Sequence, residues 1–444
     1  MENIQNMHIV RFADSVNNHV SGPSVANYDL LTTLSKMEIP KTYMVTYKEK
    51  SKKIKYPDKV KLIEVDFEQS KEVSARMPLQ PHFNTVNKAL DIAKCLGKEV
   101  ASIAVSGKYS PQAEQFSCLL KNYKKNCKLI VEGHGSEVCG YQLIEFENLY
   151  KNIYRKADLV IIMETPFAKY MFEKDGFPTG NMAVCPTVVR WEDKLNELQK
   201  NPEKLAEVKK KYFKKFKIPE NASFILTIGR FQKEKGHKYL IKAVKNLLRE
   251  YKNLYLLLGG SEKGVMEEIN MLIKNEEKIK LIGKVPFSDF YALIANSIAF
   301  IIPSIEIWKK NRLYFAETGP RTVVEAMASG IVGKNVIIAS NSGGTPWKFN
   351  MEKWLMEQIN AGTESPEIPV YDEIDDRVYN ANNRALLAEQ KNIKAIEKVV
   401  RIVIEDEKFA EKINREATKY VKKYYNSMKI ASIYNDLIEN LFVE

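Results

Sequence analysis

Residues 223–250 decide the fold. They read SFILTI at 223–228, then GRFQKEKG at 229–236, then HKYLIKAVKNLLRE at 237–250. The first run is short, apolar and rich in β-branched residues, which predicts a buried strand. Apolar residues then recur every three to four positions, which predicts a helix over Gly236–Glu250. A strand, a glycine loop and a helix form half of a βαβ unit, and ligands of such folds bind beyond the carboxyl ends of the strands.

The same alternation extends along the chain on both sides of this stretch. In the first half it predicts strands at His8–Phe12, Thr42–Thr46, Lys61–Val65, Ala101–Val105, Lys128–Val131 and Leu159–Met163. Between them it predicts helices at Ser24–Lys36, Asn84–Leu96, Ser110–Lys121, Tyr141–Arg155 and Pro166–Lys174. In the second half it predicts strands at Ser223–Ile228, Tyr255–Leu258, Lys280–Ile282, Ala299–Ile302 and Val336–Ala339, with helices at Gly264–Lys274, Ser288–Ala295 and Arg321–Ala328. The fold class is therefore α/β, with two doubly wound parallel-sheet domains expected to face each other across a cleft.

Domain limits follow from breaks in this pattern. We predict a first domain over residues 1–200, a linker with a basic helix over 201–222, and a second domain over 223–380. Residues 381–444 contain no glycine or proline and are predicted to be a helical tail that packs back across the domains.

Composition narrows the class of partner. The chain has 444 residues, of which 45% are hydrophobic, and a net charge of +12, so disorder of the whole chain is excluded and anionic ligands are favoured. Five cysteines without a Cys-x-x-Cys pair are typical of reduced thiols in a cytosolic protein and give no zinc motif. No secretory signal and no run of 18 apolar residues is visible, so a cytoplasmic location is expected.

Two pairs of charged residues after predicted strands are candidates for a ligand site. Arg230 and Lys235 flank a turn at a helix start, where two cations suit a diphosphate, although solvated loop lysines would look the same. Glu317 and Glu325 follow a later strand, and either carboxylate could accept hydrogen bonds from a vicinal diol of a sugar. The alternative is that the two glutamates only complement a helix dipole or lie on a solvated face.

Two weaker candidates lie in the first half. His134 stands between glycines at the end of a predicted strand, where it could reach a ligand or be an ordinary loop histidine. Gly22, in Ser21-Gly22-Pro23-Ser24, lies in the first strand-to-helix loop and allows a close approach.

The order of these motifs resembles the family-four retaining glycosyltransferases, which have the GT-B fold of two Rossmann-like domains. The resemblance rests on Gly-Arg-Phe-x-x-x-Lys-Gly at 229–236, Gly-Gly-Ser at 259–261, Ile-Gly-x-Val-Pro at 282–286, Ile-Pro-Ser at 302–304 and Glu-x7-Glu-Ala-Met-Ala-Ser-Gly at 317–330. It is dense from about Phe224 to Pro346 and sparse before that, where it depends on Gly22 and His134.

The resemblance implies a role for each matching residue. Arg230 and Lys235 would hold the donor pyrophosphate, with Gly229 in the same loop. Glu325 would accept hydrogen bonds from the donor ribose, and Glu317 from the transferred sugar. Lys284 and Val285 would line the base pocket, His134 would lie near the transferred sugar, and Gly22 would lie under it. The family usually has Gly-Phe-Gly after its first Glu, whereas this chain has Thr318-Gly319-Pro320; because Pro320 has no N–H, Gly319 and Arg321 are expected to contact phosphate.

Two segments depart from the family pattern. The stretch 305–316 is a long insertion and contains Glu306, but only Glu317 has the family spacing to Glu325. Val208, Tyr212, Phe213 and Phe216 recur at helical spacing among lysines in 201–222, which permits either a core-packing helix or a basic amphipathic helix on an anionic membrane.

The expected function is therefore a retaining hexosyltransferase of glycan or glycolipid biosynthesis, with a UDP- or GDP-linked sugar as donor and a hydroxyl as acceptor. No cofactor or metal is expected, because side-chain cations face the diphosphate and no Asp-x-Asp is present. The alternatives are a GT-B nucleotide-sugar epimerase and a non-catalytic nucleotide-sugar-binding protein. Nucleic acid is not an expected partner, since no recognition motif accompanies the charge.

Overall fold

The computed structural model describes residues 7–13, 22–37, 40–47, 59–65, 83–93, 97–106, 109–134, 141–261, 264–356 and 365–443. The chain divides into two compact units. Unit 1 comprises Met1–Val189, Glu352–Glu367 and Ser427–Glu444, and unit 2 comprises Arg190–Met351 and Ile368–Asn426. The chain thus enters unit 2 ahead of the predicted limit at residue 200, and its last helix belongs to unit 1.

Unit 1 is built on a seven-stranded sheet whose strand pairs are all parallel. Its strands are β1 (Met7–Phe12), β2 (Lys41–Tyr47), β3 (Val60–Val65), β4 (Glu99–Val105), β5 (Asn126–Gly133), β6 (Leu159–Ile162) and β7 (Met182–Val184), in the order β3-β2-β1-β4-β5-β6-β7. Its helices are α1 (Gly22–Leu34), α2 (Phe83–Ala93), α3 (Ser110–Lys121), α4 (Tyr141–Lys156), α5 (Pro166–Lys174), α12 (Glu352–Met356) and α15 (Ser427–Glu439). Strand interiors such as Val100–Ala104 are fully buried, which agrees with a parallel sheet covered on both faces.

Unit 2 has an eight-stranded sheet in the order β10-β9-β8-β11-β14-β17-β16-β15. Its strands are β8 (Ser223–Ile228), β9 (Leu254–Gly259), β10 (Ile279–Gly283), β11 (Ala299–Ile302), β14 (Val336–Asn341), β15 (Asp372–Asp375), β16 (Val378–Ala381) and β17 (Ala385–Glu389). A separate hairpin joins β12 (Ile307–Lys309) to β13 (Arg312–Phe315). The helices are α6 (Trp191–Lys200), α7 (Glu203–Phe216), α8 (His237–Glu250), α9 (Met266–Ile273), α10 (Phe287–Ala295), α11 (Arg321–Ser329), α13 (Ile393–Glu405) and α14 (Glu407–Tyr424).

Local sequence signals explain several helix starts. Proline occupies the first turn of α5, where a missing N–H costs nothing. Asn392 and Asp406 cap α13 and α14, their side chains accepting hydrogen bonds from the backbone N–H groups of Ala395 and Phe409 at 3.1 Å and 2.9 Å. The apolar faces of α8 and α13 then pack with the sheet into one core of unit 2.

The prediction of a wholly helical tail from residue 381 is wrong at its start. Residues 385–389 form β17, which pairs in parallel with β14 and antiparallel with β16. Ala385-Leu386-Leu387-Ala388 is buried throughout, so this short apolar run serves as an interior strand even though its residues are good helix formers. The helical part begins at Ile393.

Of the two interpretations of α7, the core-packing helix is the one that its contacts support. Val208, Tyr212 and Phe213 are buried within unit 2, and the Phe213 ring packs edge-on against Phe224 of β8 with centroids 5.7 Å apart. Asp289 of α10 accepts a hydrogen bond from the Lys211 ammonium at 2.6 Å. Burial and the Asp289 carboxylate raise the pKa of Tyr212 to about 12. The apolar residues Val208, Tyr212 and Phe213 of α7 are therefore core, and most of its lysines face solvent.

Candidate functional site

The candidate site of unit 2 lies where the strand order of its sheet reverses. From β8 the chain builds outward through β9 and β10, and β11 then pairs with β8 on its other side. The loops after β8 and β11 therefore leave the sheet in opposite directions and open a crevice between them, which is where open α/β sheets bind ligands. The loop after β8 carries Arg230 and Lys235, and the segment after β11 leads to Glu317.

Glycines let these loops approach each other closely. Gly236 has a φ of 68°, and a Cβ on it would lie 1.8 Å from the carbonyl oxygen of Pro303. A Cβ on Gly260 would lie 2.0 Å from the carbonyl oxygen of Gly229. Only glycine fits at both positions, so the Lys-Gly and Gly-Gly pairs of the sequence are there for backbone contact.

Lys235 and Glu317 form an ion pair at this crevice. The Lys235 ammonium donates to Glu317 Oε1, which also accepts a hydrogen bond from the Ser304 hydroxyl at 3.2 Å. Both side chains keep partial contact with solvent, with exposures of 22% for Lys235 and 13% for Glu317. Lys235 and Glu317, which are predicted to contact different parts of one ligand, thus contact each other.

The main chain of Glu317 is held by the turn at Gly343-Gly344. The Gly344 N–H donates to the Glu317 carbonyl at 2.6 Å, and a Cβ on Gly343 would approach that carbonyl to 2.5 Å. Glu306 is directed elsewhere: its carboxylate accepts hydrogen bonds from the Gly343 N–H at 2.8 Å and the Trp308 indole at 2.9 Å. The insertion 305–316 is thus the β12–β13 hairpin, with Glu306 bracing the turn behind Glu317.

Arg230 and Arg321 are two further cations at the site, and they differ in their surroundings. Arg230 is exposed, and no acidic side chain in the described ranges forms an ion pair with it. Arg321 begins α11 and lies 4.0 Å from Glu325 one helical turn later. Glu325 is buried, with 7% exposure. The structure therefore gives one cation open to an anion and one already beside a carboxylate.

The remaining predicted donor contacts lie at the ends of neighbouring strands. Gly229 is half-buried after β8, and its N–H donates to the Gly259 carbonyl at 2.9 Å. Lys284 is exposed after β10, and Val285 is half-buried, 3.0 Å from where a Cβ of Gly259 would lie. Gly319 is buried just before α11, whose first turn follows Pro320. All lie on loops at the carboxyl edge of the same sheet, and their contact with a nucleotide stays a prediction.

His237 is a residue of this loop that the motif analysis did not single out. Its ring is 2% exposed, packs edge-on against Phe231 and lies under Gly229. Burial, with Lys235 nearby, lowers the pKa of His237 to about 4, so the ring is neutral at physiological pH. A histidine directly after Lys-Gly at a predicted helix start was the signal that could have marked it.

In unit 1, His134 follows β5 and is almost fully buried, with 8% exposure. Its Nε2 lies 3.4 Å from Glu132 Oε2, and Glu132 is paired with Arg11. Burial would raise the pKa of Glu132, but Arg11 and the hydrogen bonds from His134 and Tyr434 outweigh it and hold that pKa below its ordinary value. Sequence reasoning missed Glu132 and Arg11, although a charged residue inside an otherwise apolar strand is an available signal.

The other candidate of unit 1 is placed only by its backbone. Gly22 is the first residue of α1, at the amino end of the helix that follows β1. Ser21, Gly135 and Ser136, which flank the two candidates, lie outside the described residues.

No group of three or more His, Cys, Asp or Glu side chains within the described ranges is arranged to hold a metal ion. Cys118, Cys127 and Cys185 are free thiols. Among the helices of the described segments, none combines the length and the apolar character that crossing a membrane requires.

Comparison with known proteins finds similarity to glycosyltransferases over part of the chain. Residues 208–361 match the family model of glycosyl transferases group 1. An uncharacterised glycosyltransferase from Methanocaldococcus jannaschii is 27% identical over 183 residues, which are 40% of this chain and 39% of that protein. The matched region thus covers well under half of the length of this relative.

Solved structures resemble the whole chain. A glycosyltransferase from Rickettsia africae superposes with a TM-score of 0.69 at 18% identity, covering 99% of both chains. Sucrose-phosphate synthase from Thermosynechococcus elongatus gives a TM-score of 0.64 at 15% identity, covering 98% of this chain and 99% of the other. Anabaena HepE in complex with UDP and glucose gives 0.62 at 14%, with the same coverage. These likenesses confirm the predicted GT-B fold: parallel-sheet α/β units and a helical C-terminal region.

Proposed function

We propose that this chain, which carries a glycosyl transferases group 1 domain and has the GT-B fold, transfers a sugar from a nucleoside-diphosphate sugar to a hydroxyl acceptor. The observation that carries the proposal is the meeting of Lys235 and Glu317 where the strand order of unit 2 reverses. A cation and a carboxylate in contact there suit a ligand with adjacent anionic and hydroxyl groups. HepE, a protein of similar fold, was crystallised with UDP-glucose, which supports a nucleotide sugar as the donor class.

The diphosphate is proposed to bind Arg230 and Lys235. Arg230 is already exposed and unpaired within the described residues, and Lys235 would turn from Glu317 toward the phosphates. Charge that develops on the leaving diphosphate would then be stabilised by two cations and by loop amides such as that of Gly319, with Gly229 lining the same loop. We propose that no metal is needed, so transfer should continue in EDTA; activity that disappears in EDTA and returns with Mg²⁺ or Mn²⁺ would contradict this part.

The two glutamates are proposed to divide the donor between them. Glu325, which is buried beside Arg321, would accept hydrogen bonds from the ribose, with Lys284 and Val285 at the base. Glu317 would accept hydrogen bonds from the hydroxyls of a hexose-type sugar. His134 and Gly22 of unit 1 are proposed to contact that sugar as well.

Transfer is proposed to retain the anomeric configuration. The acceptor oxygen would attack the anomeric carbon on the face that the diphosphate leaves, so that the new C–O bond forms as the old bond to phosphate oxygen breaks. The proton of the acceptor hydroxyl would pass to the departing phosphate oxygen, which needs no protein base. The biosynthesis of a glycan or glycolipid is the pathway class that such a reaction serves.

Peripheral membrane contact is not part of this proposal. The net charge of +12 and the lysine-rich helix α7 favour such contact, but Val208, Tyr212 and Phe213 of α7 are buried in unit 2. The exposed lysines of α7 leave only an electrostatic attraction to anionic surfaces, which salt screens.

A nucleotide panel tests the proposal. Thermal unfolding with UDP, GDP, ADP and their glucose conjugates should show stabilisation of about 2.7 kcal/mol at 100 times the dissociation constant of the preferred nucleotide. Arg230→Met should remove most of that stabilisation, whereas the control Lys233→Met, an exposed lysine of the same turn, should keep it. Stabilisation by no nucleotide would refute the donor class.

Product analysis then separates the alternatives. A transferase releases free nucleoside diphosphate only when an acceptor or water accepts the sugar, and the new linkage keeps the donor's anomeric configuration by NMR. An epimerase would return a changed sugar still attached to the nucleotide. A binding protein would leave the donor intact.

A further inference from the structure

A connected set of polar side chains lies inside unit 1, and the proposed function uses only one of them. Arg11 is on β1, Glu132 near the end of β5, His134 just after it, Asn27 on α1 and Tyr434 on α15. Arg11, Glu132 and Tyr434 are at most 1% exposed. Burying so many polar groups costs free energy unless they form hydrogen bonds with one another, so the network needs a physical explanation.

Arg11 and Glu132 form the centre of the network. Arg11 Nη2 lies 2.8 Å and 3.0 Å from the two carboxylate oxygens of Glu132 and 2.9 Å from Asn27 Oδ1. Arg11 Nη1 donates to the Tyr434 hydroxyl at 2.6 Å, and that hydroxyl donates in turn to Glu132 Oε1. The two charges cancel, and the pKa shifts agree with an ionised pair: burial notwithstanding, Arg11 and its neighbours lower the pKa of Glu132.

The two oxygens of Glu132 have different partners. Oε1 receives Arg11 and Tyr434, both of which are donors, and Oε2 receives Arg11 and faces His134 Nε2 at 3.4 Å. An ionised carboxylate can only accept, so it selects the imidazole tautomer with the proton on Nε2. In a neutral ring this leaves Nδ1 as the acceptor.

Tyr434 brings the last helix of the chain into the network. Tyr434 lies on α15, which belongs to unit 1. In the chain, α15 is separated from the first 189 residues of unit 1 by the two segments that form unit 2. Burial, with Glu132 close by, raises the pKa of Tyr434 well above its ordinary value, so the phenol stays protonated and donates to Glu132. Without that donor, Glu132 Oε1 would depend on Arg11 alone.

We propose that Glu132 is a positioning residue that fixes the tautomer of His134, and that Tyr434 makes α15 part of this arrangement. His134 then presents Nδ1 as a hydrogen-bond acceptor to a hydroxyl of the sugar or the acceptor. This role in transfer rests on the proposed function, whereas the tautomer itself depends only on the network.

The tautomer is tested by NMR of the full chain with ¹⁵N-labelled histidine. The chain has five histidines, and His134→Asn identifies the signals of His134. At alkaline pH, where the ring is observed in its neutral form, the wild type should carry the proton on Nε2. In Glu132→Gln the amide oxygen is expected at the Oε1 position, where Arg11 and Tyr434 both donate. Its NH₂ then takes the Oε2 position beside Nε2 and Arg11, and the imidazole proton should move to Nδ1. An unchanged tautomer in this variant overturns the proposal.

A second variant covers the case in which Glu132→Gln does not fold because Arg11 is left buried and unpaired. Arg11→Met with Glu132→Gln removes both charges together, and the amide should still donate to Nε2. Tyr434→Phe is the milder change and should leave the tautomer on Nε2. Tyr154→Phe is the matched control, since Tyr154 is another buried tyrosine of unit 1 that packs on Phe172 and Phe177.

Kinetics test the consequence for transfer. Glu132→Gln should lower kcat at least tenfold with the KM of the nucleotide sugar within about twofold, and Tyr434→Phe should lower kcat about threefold. Tyr154→Phe should change neither constant, even where it lowers the melting temperature as much as Tyr434→Phe. A chain that transfers no sugar refutes the proposed function, while the tautomer measurement still decides the role of Glu132.

Discussion

Glu317→Gln is expected to strengthen the binding of a nucleoside diphosphate while it weakens catalysis. In the structure, the Glu317 carboxylate forms an ion pair with the Lys235 ammonium, the group to which the diphosphate is proposed to bind. The ligand must therefore compete with an internal carboxylate. In Glu317→Gln the side-chain amide oxygen can still accept the hydrogen bond from Ser304. The negative charge is gone, so Lys235 is released to bind phosphate.

The size of the effect follows from the exposure of the pair. Because both side chains keep some contact with solvent, the pair is worth about 1 kcal/mol at most, so Glu317→Gln should tighten diphosphate binding by up to about fivefold. Lys235→Met loses a charged hydrogen bond of about 1.5–3 kcal/mol but no longer has to break the pair. Its net loss is about 0.5–2 kcal/mol, or roughly twofold to thirtyfold in affinity.

Calorimetry with the nucleoside diphosphate that stabilises the wild type best measures both variants. Glu306→Gln is the control, because Glu306 is a carboxylate of the same segment that contacts Gly343 and Trp308. Turnover of Glu317→Gln should fall at least tenfold, since contacts to the transferred sugar tighten as its bond breaks. Diphosphate binding weakened as much by Glu317→Gln as by Lys235→Met would refute the competition, and so would tightening of equal size in Glu306→Gln.

Three further changes have defined outcomes. Arg230→Met should weaken diphosphate binding by about 1.5–3 kcal/mol in calorimetry without changing the melting temperature, because the side chain is exposed. Gly236→Ala should cost at least about 1–2 kcal/mol in denaturant unfolding, because its φ is 68° and its Cβ would collide with Pro303, whereas Gly180→Ala has open space and should be neutral. His237→Phe should lessen acid sensitivity: the folded pKa near 4 lies below the unfolded value of about 6.5, so the unfolded state takes up the proton first as the pH falls. The wild type should therefore lose about 3 kcal/mol more than the variant between pH 7 and pH 4, and equal pH slopes would show that this ring does not titrate as expected.

The sequence was sufficient for the parallel sheets because their strands are buried on both faces. Apolar runs such as 223–228 and 299–302 have the observed strand limits, since a charge inside them would be buried. Two of the missed strands lack this signature, whereas β17 is apolar and buried and was assigned to the helical tail because its residues are good helix formers. β15 is exposed along its whole length, and β12 is half-buried or exposed. Their pairing depends on neighbouring strands, which local periodicity does not report.

The site was predictable where the chemistry is local and not where it is distant. Arg230, Lys235, Glu317 and Glu325 follow strands of one sheet, and the resemblance of their motifs to a known family was what joined them in a single predicted site. No local pattern shows that Lys235 and Glu317 pair with each other, because 82 residues separate them in the chain. The partners Glu132 and Tyr434 are 302 residues apart, so only the folded chain brings them into contact.

The candidate regions of the two units are therefore determined by different parts of the chain, nearby loops in unit 2 and a distant helix in unit 1. In unit 2 the candidate site is set by backbone contacts close to it, at Gly236, Gly260 and Gly343, each of which excludes a side chain. In unit 1 the surroundings of His134 depend on Tyr434, which comes from the last helix of the chain. A chain that ends before residue 427 would keep the loop residues of the unit 2 site but would remove the Tyr434 hydroxyl, leaving Arg11 as the donor to Glu132 Oε1. Because an ion pair buried without its further donors is poorly compensated, α15 contributes both to the stability of unit 1 and to the orientation of His134.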